Sequence, residues 1–447
     1  MKERKMTPVK LLSLGYFITI AIGTILLMCP FSSNSGEWTN FVDSLFTATS
    51  ATCVTGLVPF DTATHWSFVG QIVILCLIQI GGLGFMTIIT LLFMLVRKNI
   101  GLYNRTVLMQ SAGSYNISEV TKLMKIIIVG TILFEGIGAL VLYTEFIKIF
   151  PENQAIYASI FHSISAFCNA GFDIMGTGAS LTQFSSNWVV LGTIMVLIVL
   201  GGSGFIVWAD LLESRFKFSK FKLHTKIVLV FTAVLIIVPA GLFFLMEFTR
   251  FGQHGAFESM SLSDKILNSL FLAVNPRTAG FNSVDLTQMT SSGKFLYTAL
   301  MMIGGNSGST AGGVKVTTFI VVVANLVSSA RNKPNVVLFK RRVPNSIIKQ
   351  ASSLFLAYLL ITCVATFLIA IVEPNFQFGD VLFEATSAIG TVGSSLGLSA
   401  QGTLFTKLIL TGLMYTGRLG ALTLFSLFMK ENSRENLVEP KGKLLVG

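Results

Sequence analysis

One short stretch occurs four times in the chain, and its spacing limits what the chain can fold into. The first copy runs Leu45-Phe46-Thr47-Ala48-Thr49-Ser50-Ala51 and continues Thr52-Cys53-Val54-Thr55-Gly56. The last runs Leu382-Phe383-Glu384-Ala385-Thr386-Ser387-Ala388 and continues Ile389-Gly390-Thr391-Val392-Gly393; the opening residues of the two differ only at Thr47 and Glu384. A second copy is Ile160-Phe161-His162-Ser163-Ile164-Ser165-Ala166, then Phe167-Cys168-Asn169-Ala170-Gly171. The third, more worn, is Leu270-Phe271-Leu272-Ala273-Val274-Asn275, then Pro276-Arg277-Thr278-Ala279-Gly280. Gly56, Gly171, Gly280 and Gly393 are spaced by 115, 109 and 113 residues. Self-similarity at a near-fixed period means one supersecondary unit repeated. This period is too long for a solenoid and fits a repeated membrane hairpin.

Composition supports the membrane reading. Of 447 residues 52% are hydrophobic and only 12% charged, against about 25% charged in soluble domains. Apolar runs at 11–31, 66–96, 188–208, 227–246 and 350–372 match the roughly 20 residues that cross a bilayer. The run at 11–31 is too long for a signal peptide, lacks a small-residue cleavage site, and reads as a first transmembrane helix. The net charge of +11 is not spread as nucleic-acid binding would require. The segments 2–10, 97–125, 215–226, 331–349 and 430–443 hold 24 of the 32 Lys and Arg. The acidic residues concentrate between those segments. This positive-inside pattern puts both termini and three basic loops in the cytoplasm. The basic run from Arg215 through Lys226 suits an anchor on anionic lipid or a partner surface. Cys29, Cys53, Cys76, Cys168 and Cys363 form no metal-ligand spacing, and no structural disulfide is expected. His65, His162, His224 and His254 share none either and read as structural or surface residues.

Each unit reads as a long helix, a short apolar segment, a glycine strand and a second long helix. The outer helices are expected at about 9–31 and 66–96, 121–149 and 187–213, 223–248 and 294–329, and 347–371 and 404–430. The short segments are expected at 38–50, 154–166, 263–274 and 378–388. The fold class is therefore an all-α polytopic membrane protein. It comprises four tandem helix–pore-helix–filter–helix repeats around a pseudo-fourfold pore, with eight transmembrane and four re-entrant helices. The organisation is pore repeat 1 at 1–97, a cytoplasmic connector at 98–120, repeat 2 at 121–215, repeat 3 at 216–331, repeat 4 at 332–430 and a cytoplasmic tail at 431–447.

Non-helical backbone survives at membrane depth only when buried in protein or lining a water-filled path. Four glycine strands converging on one axis can ring it with carbonyls that replace a cation's hydration shell. Glycine permits the backbone angles this needs. The short helices would point their partly negative C-terminal ends at the same axis. The expected filter is Val54, Thr55, Gly56, Asn169, Ala170, Gly171, Thr278, Ala279, Gly280, Thr391, Val392 and Gly393.

The second helix of every unit carries a glycine cluster at its middle: Gly81-Gly82-Leu83-Gly84, Gly201-Gly202-Ser203-Gly204, Gly304-Gly305 and Gly417-Arg418-Leu419-Gly420. Close packing by small residues accounts for the first two as readily as unwinding does. The third opens Gly304-Gly305-Asn306-Ser307-Gly308-Ser309-Thr310-Ala311-Gly312-Gly313, which cannot be a good helix and ends near Lys315. It reads as a broken segment whose backbone faces the water path just inside the filter. Arg418 stands where other units have Gly82, Gly202 and Gly305. An arginine at mid-membrane is costly unless paired or hydrated, and it reads as a tether for the loop. Glu135 is expected to be a buried partner of an inner basic group.

These motifs resemble those of the Trk/Ktr/HKT superfamily of potassium transporters, most closely the KtrB-type membrane subunits of bacterial Ktr systems. The resemblance spans nearly the whole chain and rests on residues 50–57, 167–172, 276–282 and 390–393. It implies potassium uptake across the bacterial cell membrane, with the four filter glycines giving potassium preference and the 304–313 loop acting as the gate. It also implies a homodimer on a cytosolic ring of nucleotide-binding regulatory subunits of the KtrA/KtrC type, and activation by sodium ion. No organic cofactor, transition metal or nucleic-acid partner is expected beside the transported potassium and membrane lipid. The alternative is a proton- or sodium-coupled secondary transporter. That class usually shows inverted repeats and midplane ionisable groups; here the repeats are parallel and only Glu135, Lys315 and Arg418 qualify. An enzyme would need a nucleophile–base pair or metal cluster, and the sequence offers none.

Overall fold

The computed structural model describes residues 8–84, 120–176, 178, 180–249, 257 and 260–420. The connector at 98–120, except its last residue, and the tail at 431–447 lie outside them, as do Lys2, Arg4, Lys5, Arg97 and His254. The fold is almost wholly helical. Pro8–Met28, Val120–Phe146, Leu223–Glu247 and Asn345–Val372 are the first helices of the four units. All four are long and apolar enough to cross a membrane. Phe17, Ile132, Leu140, Ile237 and Phe367 are among their strongly exposed side chains. That outward apolar surface is what lipid, rather than water, satisfies.

The four short helices are Phe41–Cys53, Glu152–Phe167, Leu262–Val274 and Phe378–Gly390. Each carries an acid in its first turn: Asp43, Glu152, Asp264 and Asp380. Acids at an N-terminus offset the positive end of the helix dipole. The opposite ends are buried, from Phe46 through Cys53 in unit 1 and Phe383 through Gly390 in unit 4.

The second helices begin under matched caps. The side chains of Ser67, Asn187, Thr290 and Thr403 each accept a hydrogen bond from an N–H of the first turn, satisfying donors left free at a helix start. Those of units 2 and 3 are broken, while the continuations expected in units 1 and 4, at 85–96 and 421–430, lie outside the described residues. Trp188–Ser203 and Phe205–Glu213 meet at an 87° bend, where Gly204 has φ +96°. Phe68–Leu83 and Leu404–Leu419 end at Gly84 and Gly420, with φ +84° and +90°. In unit 3 the break widens into a loop between Ser291–Met301 and Val316–Ala330. The helix expected to be continuous at 187–213 is thus two pieces, and the one at 294–329 is broken around the 304–313 stretch. Positive φ is cheap only for glycine, and it aims the following chain out of the helix axis. A two-stranded hairpin, Val337–Leu338 with Arg341–Arg342, was not expected within 332–346.

The units follow one another around a ring. The rings of Phe68 and Tyr157 pack 4.9 Å apart between units 1 and 2. Trp188 Nε1 donates to Ser263 Oγ at 2.8 Å between units 2 and 3. Lys294 pairs with Asp380 at 3.6 Å between units 3 and 4. Lys407 Nζ donates to Asp43 Oδ1 at 2.7 Å, closing unit 4 onto unit 1. In each case a second helix meets the outer end of the next unit's short helix, so the short helices' opposite ends converge inside the ring.

Candidate ion pathway

Beyond each short helix the backbone repeats one conformation. Val54, Asn169, Thr278 and Thr391 have φ of +58°, +59°, +70° and +52°. Two residues later come Gly56, Gly171, Gly280 and Gly393, with φ of +95°, +69°, +80° and +93°. The middle residues Thr55, Ala170, Ala279 and Val392 are buried, and none has positive φ. All twelve residues expected in the filter therefore lie in these four matched segments.

The segments touch in cyclic order. A Cβ on Gly56 would lie 2.5 Å from Ala170 O, on Gly171 2.6 Å from Ala279 O, and on Gly280 2.6 Å from Val392 O. On Gly393 it would lie 2.0 Å from Thr55 O, which closes the circle. Each glycine is required by its neighbour's carbonyl and by its own φ together. A layer of small polar residues stands behind. Thr55 N, Ala170 N, Ala279 N and Val392 N donate to the carbonyls of Ser50, Ser165, Asn275 and Ser387 at 2.8, 2.7, 3.0 and 2.8 Å. Ser50 Oγ and Ser387 Oγ also accept from Gly56 N and Gly393 N at 3.0 and 3.1 Å. Sequence reasoning assigned these serines no role, although their recurrence just before Ala51, Ala166 and Ala388 was the available signal.

The 304–313 loop lies directly against this ring. A Cβ on Gly312 would sit 2.1 Å from Thr391 Oγ1, and one on Gly313 2.9 Å from Gly390 O. Thr310 Oγ1 donates to Asn169 Oδ1 at 2.9 Å. The loop also binds the glycine-cluster ends of the second helices of units 2 and 4. Asn306 N and Nδ2 both donate to Gly202 O at 3.0 Å, Phe205 N donates to Gly308 O at 2.8 Å, and Gly313 N to Gly417 O at 3.3 Å. Within the third unit, Gly304 N donates to Val314 O at 2.8 Å, and Gly305 is crowded by Ala311. Ser307 Oγ lies 3.3 Å from Thr317 Oγ1. Lys315 Nζ folds back to donate to Ala311 O at 2.6 Å and Gly312 O at 3.3 Å.

Arg418 supplies the remaining connection. Its guanidinium donates to Thr310 O in the loop and to Gly81 O in unit 1, and also to Gly82 O at 3.3 Å. Its Nε reaches Tyr16 Oη at 3.4 Å. Among the described residues Glu135 has no basic partner of the kind expected of it. Gln79 Nε2 donates to its carboxyl oxygens at 3.2 and 3.3 Å, and Cys168 Sγ to Oε1 at 3.9 Å.

The glycine clusters serve packing and breaking together. The first glycine of three clusters abuts the end of its own unit's short helix. A Cβ on Gly81, Gly201 or Gly417 would lie 2.0, 1.8 or 2.1 Å from the carbonyl oxygens of Thr52, Phe167 and Ile389. The last glycine of each supplies the positive φ.

This fold defines a multi-pass membrane protein of four like units closed around one axis. The family model for cation transport proteins named TrkH matches residues 15–439. The chain is 40% identical to the potassium/sodium uptake protein NtpJ of Enterococcus hirae, covering all of this chain and 98% of that one. It is 38% identical to the Ktr system potassium uptake protein B of Bacillus subtilis, over 99% and 97% of the two chains. The crystal structure of the potassium transporter TrkH from Vibrio parahaemolyticus has the same fold, with a TM-score of 0.73 at 17% identity over 96% of this chain and 86% of that one. The chain belongs to the TrkH family of cation transport proteins, and is a transporter rather than an enzyme.

Proposed function

We propose that the chain takes up potassium across the bacterial cell membrane through a channel-like pore with an intramembrane gate. One observation carries this reading: four Xaa-Yaa-Gly segments of matched dihedral sign, closed in a ring by glycine-to-carbonyl contact. Alternating φ signs turn successive carbonyls toward one side of a chain, as a dehydrating ring requires. The hydroxyls of Thr55, Thr278 and Thr391 are buried with no partner among the described residues, although buried polar groups are normally satisfied. That suits a lining that serves a cation. Potassium transport is named for each of the three similar proteins above.

The gate is the 304–313 loop with Lys315 and Arg418, held across the inner end of the ring by hydrogen bonds to units 1, 2 and 4. The Ktr naming of the Bacillus subtilis relative supports a multi-subunit system, in which a cytosolic nucleotide-binding ring of KtrA/KtrC type pulls the loop aside and the membrane subunit is a homodimer. The basic segments at 215–226 and 331–349 would meet that ring, with both termini on the same cytoplasmic side. The sodium in the Enterococcus hirae protein's name makes sodium a candidate activator or second cargo. Uptake by a potassium-transport-deficient strain, with and without regulatory subunits, tests the reading. Growth on low potassium that needs both chains supports it, and uptake that collapses with the proton gradient rather than with voltage favours a coupled transporter.

A further inference from the structure

The proposed filter ends at four glycines, and something must hold the backbone just outside them. Four strained positive-φ segments persist only where the surroundings over-determine them. In unit 4 that support comes from Glu384, which is 0% exposed. Its Oε1 accepts from Leu396 N at 3.1 Å, Leu398 N at 3.0 Å and Ser399 N at 3.4 Å, and from Ser395 Oγ. One carboxyl oxygen thus gathers the whole turn that leaves Gly393.

Unit 2 does the same with different chemistry. His162, also 0% exposed, has Nδ1 2.7 Å from Ala158 O and Nε2 3.4 Å from Ile174 N. A carbonyl needs a donor and an N–H needs an acceptor, so the partners assign the neutral Nδ1–H tautomer. The register is identical. Each side chain stands nine residues before its filter glycine and reaches an N–H three residues after it, from 162 to 174 around Gly171 and from 384 to 396 around Gly393.

The other two units lack this device for visible reasons. In unit 1 the matching positions are Thr47 and Pro59. Proline has no N–H to hold and fixes its own φ, and Thr47 Oγ1 turns back to donate to Asp43 O at 2.9 Å. In unit 3 the position nine residues before Gly280 is Phe271, which has no polar side-chain atom, and the rim is held instead by its neighbour. Asn282 N donates to Ser180 Oγ at 3.2 Å, and Leu181 N to Asn282 O at 2.9 Å.

We propose that Glu384 and His162 are positioning residues for ion selectivity, an alternating pair of side-chain clamps that set the outer rim of the filter from behind. This rests on the filter reading above. Neither side chain touches the ion; each fixes the exit turn whose geometry decides how closely the carbonyl ring can close on a cation.

The experiment compares Glu384→Leu, Glu384→Gln, His162→Leu and Gly393→Ser in membranes of a transport-deficient strain. It reads potassium and sodium uptake, KM and maximal rate separately, and melting temperature after extraction. Glu384→Leu, which removes all four hydrogen bonds to the exit turn, is expected to lower potassium-over-sodium discrimination by about tenfold or more, mainly through KM for potassium. Glu384→Gln, which keeps an acceptor oxygen, should recover most of it. His162→Leu, losing one longer bond, should give a smaller change in the same direction and serves as the second variant if Glu384→Leu does not insert. Three outcomes overturn the proposal. One is discrimination unchanged in the inserted Leu variants while Gly393→Ser alters it, which leaves the filter standing and removes the clamps. Another is a melting temperature that falls without any change in discrimination. The third is unchanged discrimination in Gly393→Ser as well, which removes the filter reading and the clamps with it.

Discussion

Arg418→Ala and Arg418→Lys together separate a tether from a charge barrier. In the parent the guanidinium holds Thr310 O of the loop with one arm and Gly81 O of unit 1 with the other. Only the Thr310 bond ties it to the loop; the remainder anchor the arginine. A hydrogen bond to a charged group contributes about 1.5–3 kcal/mol net, and 3 kcal/mol is more than a hundredfold in an equilibrium constant. Removing it is therefore expected to shift the closed-to-open ratio of the loop by roughly 10- to 150-fold. Initial potassium uptake, normalised to inserted protein and measured with and without regulatory subunits, should rise most where those subunits are absent. Arg418→Lys decides the cause. A lysine keeps the positive charge but lacks the planar fork needed to bridge two carbonyls. If the tether matters, Lys behaves like Ala; if only charge matters, Lys behaves like the parent. Uptake by Arg418→Ala at or below the parental rate, at equal insertion, would refute the reasoning.

Three further outcomes are expected. Deleting 306–312 should raise flux and weaken its dependence on regulatory subunits, and parental flux under full control means the loop is not the gate. Gly201→Ala, whose Cβ would fall 1.8 Å from Phe167 O, should destabilise the extracted protein by about 1–3 kcal/mol, whereas Gly192→Ala, with nothing within 4 Å, should not; equal melting temperatures contradict the packing account. Reporter fusions after Arg97, Lys220 and Arg342 should all report the cytoplasm, and an external signal at any one breaks the parallel-repeat topology.

What could be read from the chain divides along physical lines. The repeated Leu-Phe-x-Ala-x-Ser-Ala stretches and their glycines locate the short helices to within a few residues, because burial and positive φ are local demands that leave a residue signature. The bend at Gly204 was only half legible. Gly201, Gly202 and Gly204 fit close packing and unwinding equally well in the sequence, and both occur: the first packs, against Phe167 O, while the last breaks the helix. One cluster answers two demands and composition cannot apportion them. The partners of Glu135 were likewise hidden, since Gln79 lies on a helix of another unit and only the ring closure brings it near. His162 offered no ligand spacing, and its part appears only when the turn carrying Ile174 folds back over the short helix.

The carbonyl ring is the centre of the account, and ion discrimination in the glycine variants tests it most directly. A Cβ on Gly56 must share space with Ala170 O at 2.5 Å while the backbone holds φ +95°. Relative potassium and sodium uptake is to be measured for the parent and for serine at Gly56, Gly171, Gly280 and Gly393, each confirmed in the membrane. The account predicts a parent that prefers potassium and a fall in that preference in all four variants. Parental discrimination in four well-inserted variants would contradict it.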